Sequence, residues 1–348
     1  MTASEAAGVI VAVVALVSGC AGQPQRQAAS PALPTSKPSG SPGSPGPSGR
    51  EAARVHQAAG PPGTLGRYRV GHRQMTFVDP AHTGPTGQSL GPRRLVTMIR
   101  YPSPRRPAAA RPAAGPFPLV VFAPGFMQCD GPYAHLLRAW ASAGYVVATV
   151  DFPRTDCHAG ATAVEADLVN QPHDMSYVIS RLLALSAHRR DLLSGLLNRR
   201  QIAAAGHSDG GDTVAAFAAN TCCADRRLVA VAVLSGAEWP PIKGGYFVHR
   251  APPILFVQGS EDVLNPPWMS RQLYRADSPL ARYYLALFGA DHTVPYWGTN
   301  KVERLVARVT LAFLDRFVLG QARALATMRR DGNVRGKAAL VSGHRPPP

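Results

Sequence analysis

From Tyr68 onward, short runs of β-branched and aromatic residues alternate with stretches in which apolar positions recur every three or four residues. The runs predict strands at Tyr68–Val78, Leu95–Tyr101, Leu119–Ala123, Tyr145–Asp151, Gln201–Gly206, Val229–Ser235, Ile254–Gln258 and Tyr283–Phe288. Helical spacing falls near Tyr133–Ala143, His173–Ala187, Asp209–Asn220, Trp268–Ala276 and Lys301–Val318, the last with a stripe of Val302, Leu305, Val309, Phe313 and Phe317. Runs such as FPLVVFA, YVVATV and LVAVAVL are apolar without alternation, as strands buried on both faces must be. Two early strands followed by β/α alternation predict an α/β fold: a mostly parallel eight-stranded sheet with helices on both faces.

The ends read differently. Gly8 to Gly19 is apolar or small throughout but shorter than the roughly 20 residues of a permanent membrane span, so it reads as the core of an export signal. Val17-Ser18-Gly19-Cys20-Ala21 resembles the bacterial lipobox, which implies cleavage before Cys20, lipidation of its sulfur and attachment to the outer face of the cytoplasmic membrane; an ordinary cleaved signal, leaving a secreted protein, is the alternative. Met1 to Ala7 departs from that pattern, holding Glu5 and no Lys or Arg. The expected organisation is a signal over residues 1–20, a disordered Pro/Ser/Gly-rich tether over 21–66, a folded domain over 67–320 and a basic, disordered tail over 321–348.

Composition supports a sizeable core. Of 348 residues 45% are hydrophobic and 17% charged, which excludes a wholly disordered chain, and Gly and Pro cluster rather than repeat, which excludes a collagen-like one. The formal charge of +16 invites a nucleic-acid reading, yet basic side chains are almost all Arg and no nucleic-acid module accompanies them. Residues 321–348 carry six basic groups against one acidic, so weak attraction to anionic lipid or envelope polymer stays open. With Cys20 set aside, four cysteines are left: Cys129, Cys157, Cys222 and Cys223. Cys129 and Cys157 both follow predicted strands and form the preferred bridge; Cys222 and Cys223 could pair with each other, pair elsewhere or stay reduced. No ligand spacing suggests a metal site.

Chemistry concentrates after the fifth strand, in Gly206-His207-Ser208-Asp209-Gly210-Gly211. This G-x-S-x-G sequence between a strand and an Ala-rich helix predicts a tight turn that presents Ser208 as a nucleophile at a helix N-terminus. A serine hydroxyl needs a base and an orienting acid. Asp262 follows the strand ILFVQ and His292 follows YYLALF, giving the order Ser208, Asp262, His292. Glu261, Asp291 and Glu238 compete with Asp262 for the acid role. Of the eleven histidines only His292 has the right place, while His207, inside the turn, reads as lining the cleft. The oxyanion hole is expected from the amides of Phe126, after Gly125, and Asp209, with the Phe126 ring as a wall of the acyl site.

These residues resemble an α/β-hydrolase over about 67–320, closest in pattern to cutinase-like polyester hydrolases, dienelactone-hydrolase-like proteins and platelet-activating-factor acetylhydrolase-like esterases. Arg100-Tyr101-Pro102, Ala123-Pro124-Gly125-Phe126, Gly144-Tyr145-Val146-Val147, the turn from Asp262 to Pro266, and Gly289-Ala290-Asp291-His292 carry the resemblance. It implies a substrate-contacting aromatic at Trp239. The short stretch between the sixth and seventh strands leaves no room for a large lid domain.

The expected function is an exported, monomeric serine carboxylic-ester hydrolase without metal or cofactor, acting on short- to medium-chain, lipid or polymeric esters. An acyltransferase using the same triad and a non-catalytic binding lipoprotein are the alternatives.

Overall fold

The apolar runs become strands wherever both of their faces can be covered. The computed structural model describes residues 65–80, 91–104, 111–278, 282–345 and 347–348. Its strands are β1 (Arg69–Asp79), β2 (Arg93–Ser103), β3 (Phe117–Ala123), β4 (Val146–Asp151), β5 (Leu197–His207), β6 (Leu228–Leu234), β7 (Ile254–Gly259), β8 (Arg282–Leu287) and β9 (Ala338–Ser342). The helices are α1 (Ala134–Ala143), α2 (Gln171–Ala187), α3 (Asp209–Ala219), α4 (Pro267–Ala276), α5 (Lys301–Phe317) and α6 (Ala324–Gly332). One sheet runs in the order β1-β2-β4-β3-β5-β6-β7-β8-β9. Strands β3 to β8 are mutually parallel, and β1, β2 and β9 are antiparallel additions at the two edges.

Side-chain alternation divides each central strand between two cores. In β3, Leu119, Val121 and Ala123 join the face covered by α2, α3 and α4, whereas Val120 and Phe122 join the face covered by α1, α5 and α6. Trp140 of α1 is fully buried and donates through its indole to the Thr310 hydroxyl of α5 at 3.0 Å, which ties the two helices of this layer together. Asn300 caps α5, its side chain accepting from the amides of Val302 and Glu303.

Two expectations need correction. The sheet has nine strands among the described residues rather than eight, and the tail expected to be disordered is folded. Met328 of α6 and Ala338 and Leu340 of β9 are buried in the core on the α5 face, and β9 pairs with β8 from Leu287↔Ala338 to Tyr283↔Ser342. The pairing closes an edge that β8 would otherwise present open. A strand of five residues is too short for its own periodicity to announce it. The expected signal with Cys20, and the tether up to residue 64, lie outside the described residues.

Disulfides join Cys129 to Cys157 and Cys222 to Cys223. The first is the preferred pairing, and the second takes one of the alternatives left open for the vicinal pair. Between β6 and β7 the chain forms no helix, so no lid domain rises from this stretch.

Candidate active site

Phe126, Ser208, Asp262 and His292 lie just past the carboxyl ends of β3, β5, β7 and β8 respectively. Ser208 joins β5 to α3 with φ 56° and ψ −125°, a region that non-glycine residues avoid. Its amide donates to the Leu234 carbonyl at 3.0 Å and its carbonyl accepts from Asp212 at 3.0 Å, which pins the turn between β6 and α3. The flanking glycines are sterically required. A β-carbon at Gly206 would stand 2.0 Å from the Gly210 carbonyl oxygen, and one at Gly210 would stand 2.0 Å from that of Ala123. The Ser208 side chain makes no capping bond to the helix amides.

Asp262 and His292 meet across the ends of β7 and β8. His292 Nδ1 lies 2.9 Å from Oδ1 and 2.8 Å from Oδ2 of Asp262. A carboxylate only accepts, so Nδ1 donates, and in the neutral imidazole the remaining lone pair is on Nε2. Asp262 also accepts from the amides of Leu264 and Asn265 and from the Gln258 side chain. Burial pushes its carboxyl up, but the hydrogen bonds from His292 and the Asn265 amide outweigh burial and hold it below the ordinary value. Two of the competing acids have other partners. Asp291 accepts from the amides of Thr293 and Val294, and the exposed Glu238 reaches the Gln272 side chain.

The loop after β3 brings Gly125 against Ser208, where an added β-carbon would be 3.1 Å from Ser208 Cβ. Gly125 N–H donates to the Tyr133 hydroxyl at 3.1 Å and Met127 N–H to the Thr155 carbonyl at 2.7 Å. Between them, the Phe126 amide has no hydrogen-bond partner among the described residues, and the Phe126 ring is half-buried. Asp209, first residue of α3, has an amide without a helical carbonyl to bond, and its own carboxylate lies against that amide. Burial and the charge of Glu165 raise the Asp209 carboxyl to about 7.

His207 does not line the cleft. It is 1% exposed, and both ring nitrogens are engaged below the turn. Nε2 stands 2.8 Å from the His292 carbonyl, which accepts only, so Nε2 donates. Nδ1 must then accept, and the Tyr133 hydroxyl donates to it at 2.9 Å. Burial and the neighbouring His292 depress the His207 pKa to about 3, which keeps the ring in the neutral form this arrangement needs. Tyr133, fully buried, is a residue that sequence reasoning missed, since nothing local in Gly131-Pro132-Tyr133 distinguishes it from a core aromatic. Tyr296 is another: its hydroxyl donates to the Val257 carbonyl and meets the Ser235 hydroxyl at 2.9 Å, behind the Asp262 turn.

Trp239 sits in the loop after β6, partly buried against a small cluster of Leu168, Ala216 and Ile242. Cys223 packs against the same cluster. Cys129, Cys157 and His158 place three ligand atoms within 4.8 Å of one another, but the two sulfurs are joined to each other and neither is a free thiolate.

A strained serine turn and a carboxylate–imidazole pair at the carboxyl ends of a mostly parallel sheet define the α/β-hydrolase class. Residues 107–331 match the profile of the PETase family, described as PET hydrolase-like. The chain belongs to that family and is an ester hydrolase. A comparison with curated proteins finds no match.

Proposed function

We propose that this ester hydrolase works through an acyl-enzyme on Ser208, with His292 as base and Asp262 as its orienting acid. The observation that carries the reading is the two-oxygen grip of Asp262 on His292 Nδ1, with the His292 ring 4.7 Å from that of His207, the neighbour of Ser208 in the turn. His292 Nε2 takes the Ser208 hydroxyl proton as Oγ bonds to the ester carbonyl carbon. The carbonyl oxygen becomes an oxyanion facing the amides of Phe126 and Asp209, each worth roughly 3 kcal/mol in the transition state. His292 then passes its proton to the departing alcohol oxygen, the C–O bond breaks, and a water activated by the same nitrogen releases the acid and restores Ser208.

Apolar side chains stand exposed on the loops that carry these residues: Met127 after Phe126, Val263 and Leu264 after Asp262, Trp268 at the start of α4 and Val294 after His292. An uncovered rim of this kind suits an apolar ester chain or a polymer or lipid surface. Trp239 and the Phe126 ring are the proposed flanking contacts. The protein is further proposed to be a monomer, exported and anchored through lipidated Cys20, which mass spectrometry of the mature N-terminus tests directly.

Hydrolysis of p-nitrophenyl esters from two to sixteen carbons, by the full chain and by Ser208→Ala, tests the mechanism. Turnover abolished in the variant and labelling by a fluorophosphonate in the wild type alone are expected. Equal activity in both proteins would sink the Ser208 assignment.

A further inference from the structure

The cations of the C-terminal segment lie away from the cleft. Its one acidic residue, Asp331, is taken by Arg330 at 2.8 Å and faced by Arg308 at 3.7 Å. Arg329 and Arg345 have no ion-pair partner among the described residues. Folding of α6 and β9 puts both on the wall of one cavity of about 410 Å³, which Tyr283, Asn333, Leu340 and Ser342 also line and no carboxylate enters.

The cavity is braced from within. Asn333 Nδ2 donates to the Arg329 carbonyl at 2.7 Å, and its Oδ1 accepts from the Leu340 amide at 3.1 Å, so one side chain ties the end of α6 to β9. Arg345 is held through its own carbonyl, which accepts from the Tyr274 hydroxyl at 3.1 Å. The hydroxyls of Ser342 and Tyr283 come from directly paired positions on β9 and β8.

The position separates this cavity from the ester chemistry. Tyr283 lies near the start of β8, whereas His292 follows the other end, after Leu287. Four residues of strand span roughly 13 Å. β1 runs in the same direction as β8, so the chain enters the domain, at Leu65 to Arg69, on the cavity's end of the sheet.

We infer that the cavity between Arg329 and Arg345 binds a phosphate-bearing anion. Two guanidinium forks and two hydroxyls match the several acceptor oxygens of a phosphate ester, and the volume admits the alcohol that carries it. The phosphate is either that of a soluble ester or that of a lipid headgroup.

The test uses the full-length protein, an Arg329→Gln/Arg345→Gln variant and an Arg323→Gln/Arg335→Gln variant, which loses the same charge outside the cavity. Glycerol 3-phosphate is titrated by calorimetry, and sedimentation is measured with phosphatidylcholine vesicles with and without phosphatidylglycerol, at an ionic strength of about 0.15 M. Saturable binding to one probe is expected, weakened roughly tenfold or more in the cavity variant and less than about threefold in the other. Binding of glycerol 3-phosphate assigns a soluble ester; binding confined to phosphatidylglycerol vesicles assigns the headgroup. Wild-type protein that binds neither probe, or equal weakening in both variants, overturns the site. Unchanged hydrolysis of a soluble ester shows that both variants are folded.

Discussion

His207 Nε2–H donates to the main-chain carbonyl of His292 at 2.8 Å, so the residue before Ser208, the proposed nucleophile, holds the backbone of the residue proposed to activate it. Through its other nitrogen the same ring is bound by Tyr133, whose hydroxyl also receives the Gly125 amide. One buried chain of hydrogen bonds thus connects the loop after β3, the serine turn and the loop after β8.

Tyr133→Phe breaks that chain and leaves the His207 Nδ1 and the Gly125 N–H unpaired in the interior. The expected cost is about 1–3 kcal/mol of stability. Because the loops that flank Ser208 lose their common reference, kcat should fall by roughly tenfold while KM changes less than about twofold. Steady-state kinetics well below the melting temperature would show it. A lowered Tm with unchanged kcat would reduce Tyr133 to a core residue.

Asp209 predicts a pH effect of definite sign. Burial first, and Glu165 second, raise its carboxyl to about 7, so it ionises as pH rises through neutrality. The anion sits against the amide proposed to meet the oxyanion, which would oppose charge development there. The ratio of kcat/KM for Asp209→Asn to that of wild type should be near one at about pH 6 and reach roughly five- to tenfold by about pH 9. A ratio constant with pH would remove Asp209 from the electrostatics of the reaction.

Ending the chain at Gly320 removes α6 and β9. The burial of Met328 and Leu340 is lost, about 4 kcal/mol at ordinary transfer values, and the edge of β8 is uncovered. Urea unfolding should show a lower midpoint, and size-exclusion chromatography should show association. A truncated protein with wild-type midpoint would mean that the last two elements contribute nothing to the domain.

The Cys129–Cys157 bridge spans 28 residues and joins the loop after β3 to the loop after β4, which the Met127 amide also binds through the Thr155 carbonyl. In a loop-entropy account, Cys129→Ala/Cys157→Ala should cost about 3.5 kcal/mol. The loss is measured by denaturant unfolding of the oxidised wild type beside the variant. An unchanged free energy would show that the contacts around Thr155 hold the two loops without the bridge.

What the chain determined by itself was everything carried by local pattern. Continuous apolar runs need cover on both faces, so the strands from β1 to β8 and the α/β class were legible. The glycines around Ser208 are a local steric demand, and Asp262 and His292 each follow a strand in a short turn, so the three candidates and their order could be read in advance. Tertiary structure decided what depends on direction and on distant partners. Asp262 and not Glu261, Asp291 or Glu238 faces His292, because facing is set by the turn of a side chain that composition does not encode. His207 was expected in the cleft, yet its hydrogen bonds to residues 74 and 85 positions away bury it. β9 formed because β8 offered an open edge and the core beside Met328 had room for Leu340, neither of which is a property of residues 338–342 alone. Local signals are short-range sterics and periodicity, whereas burial, register and polar pairing are free energies of the assembled chain.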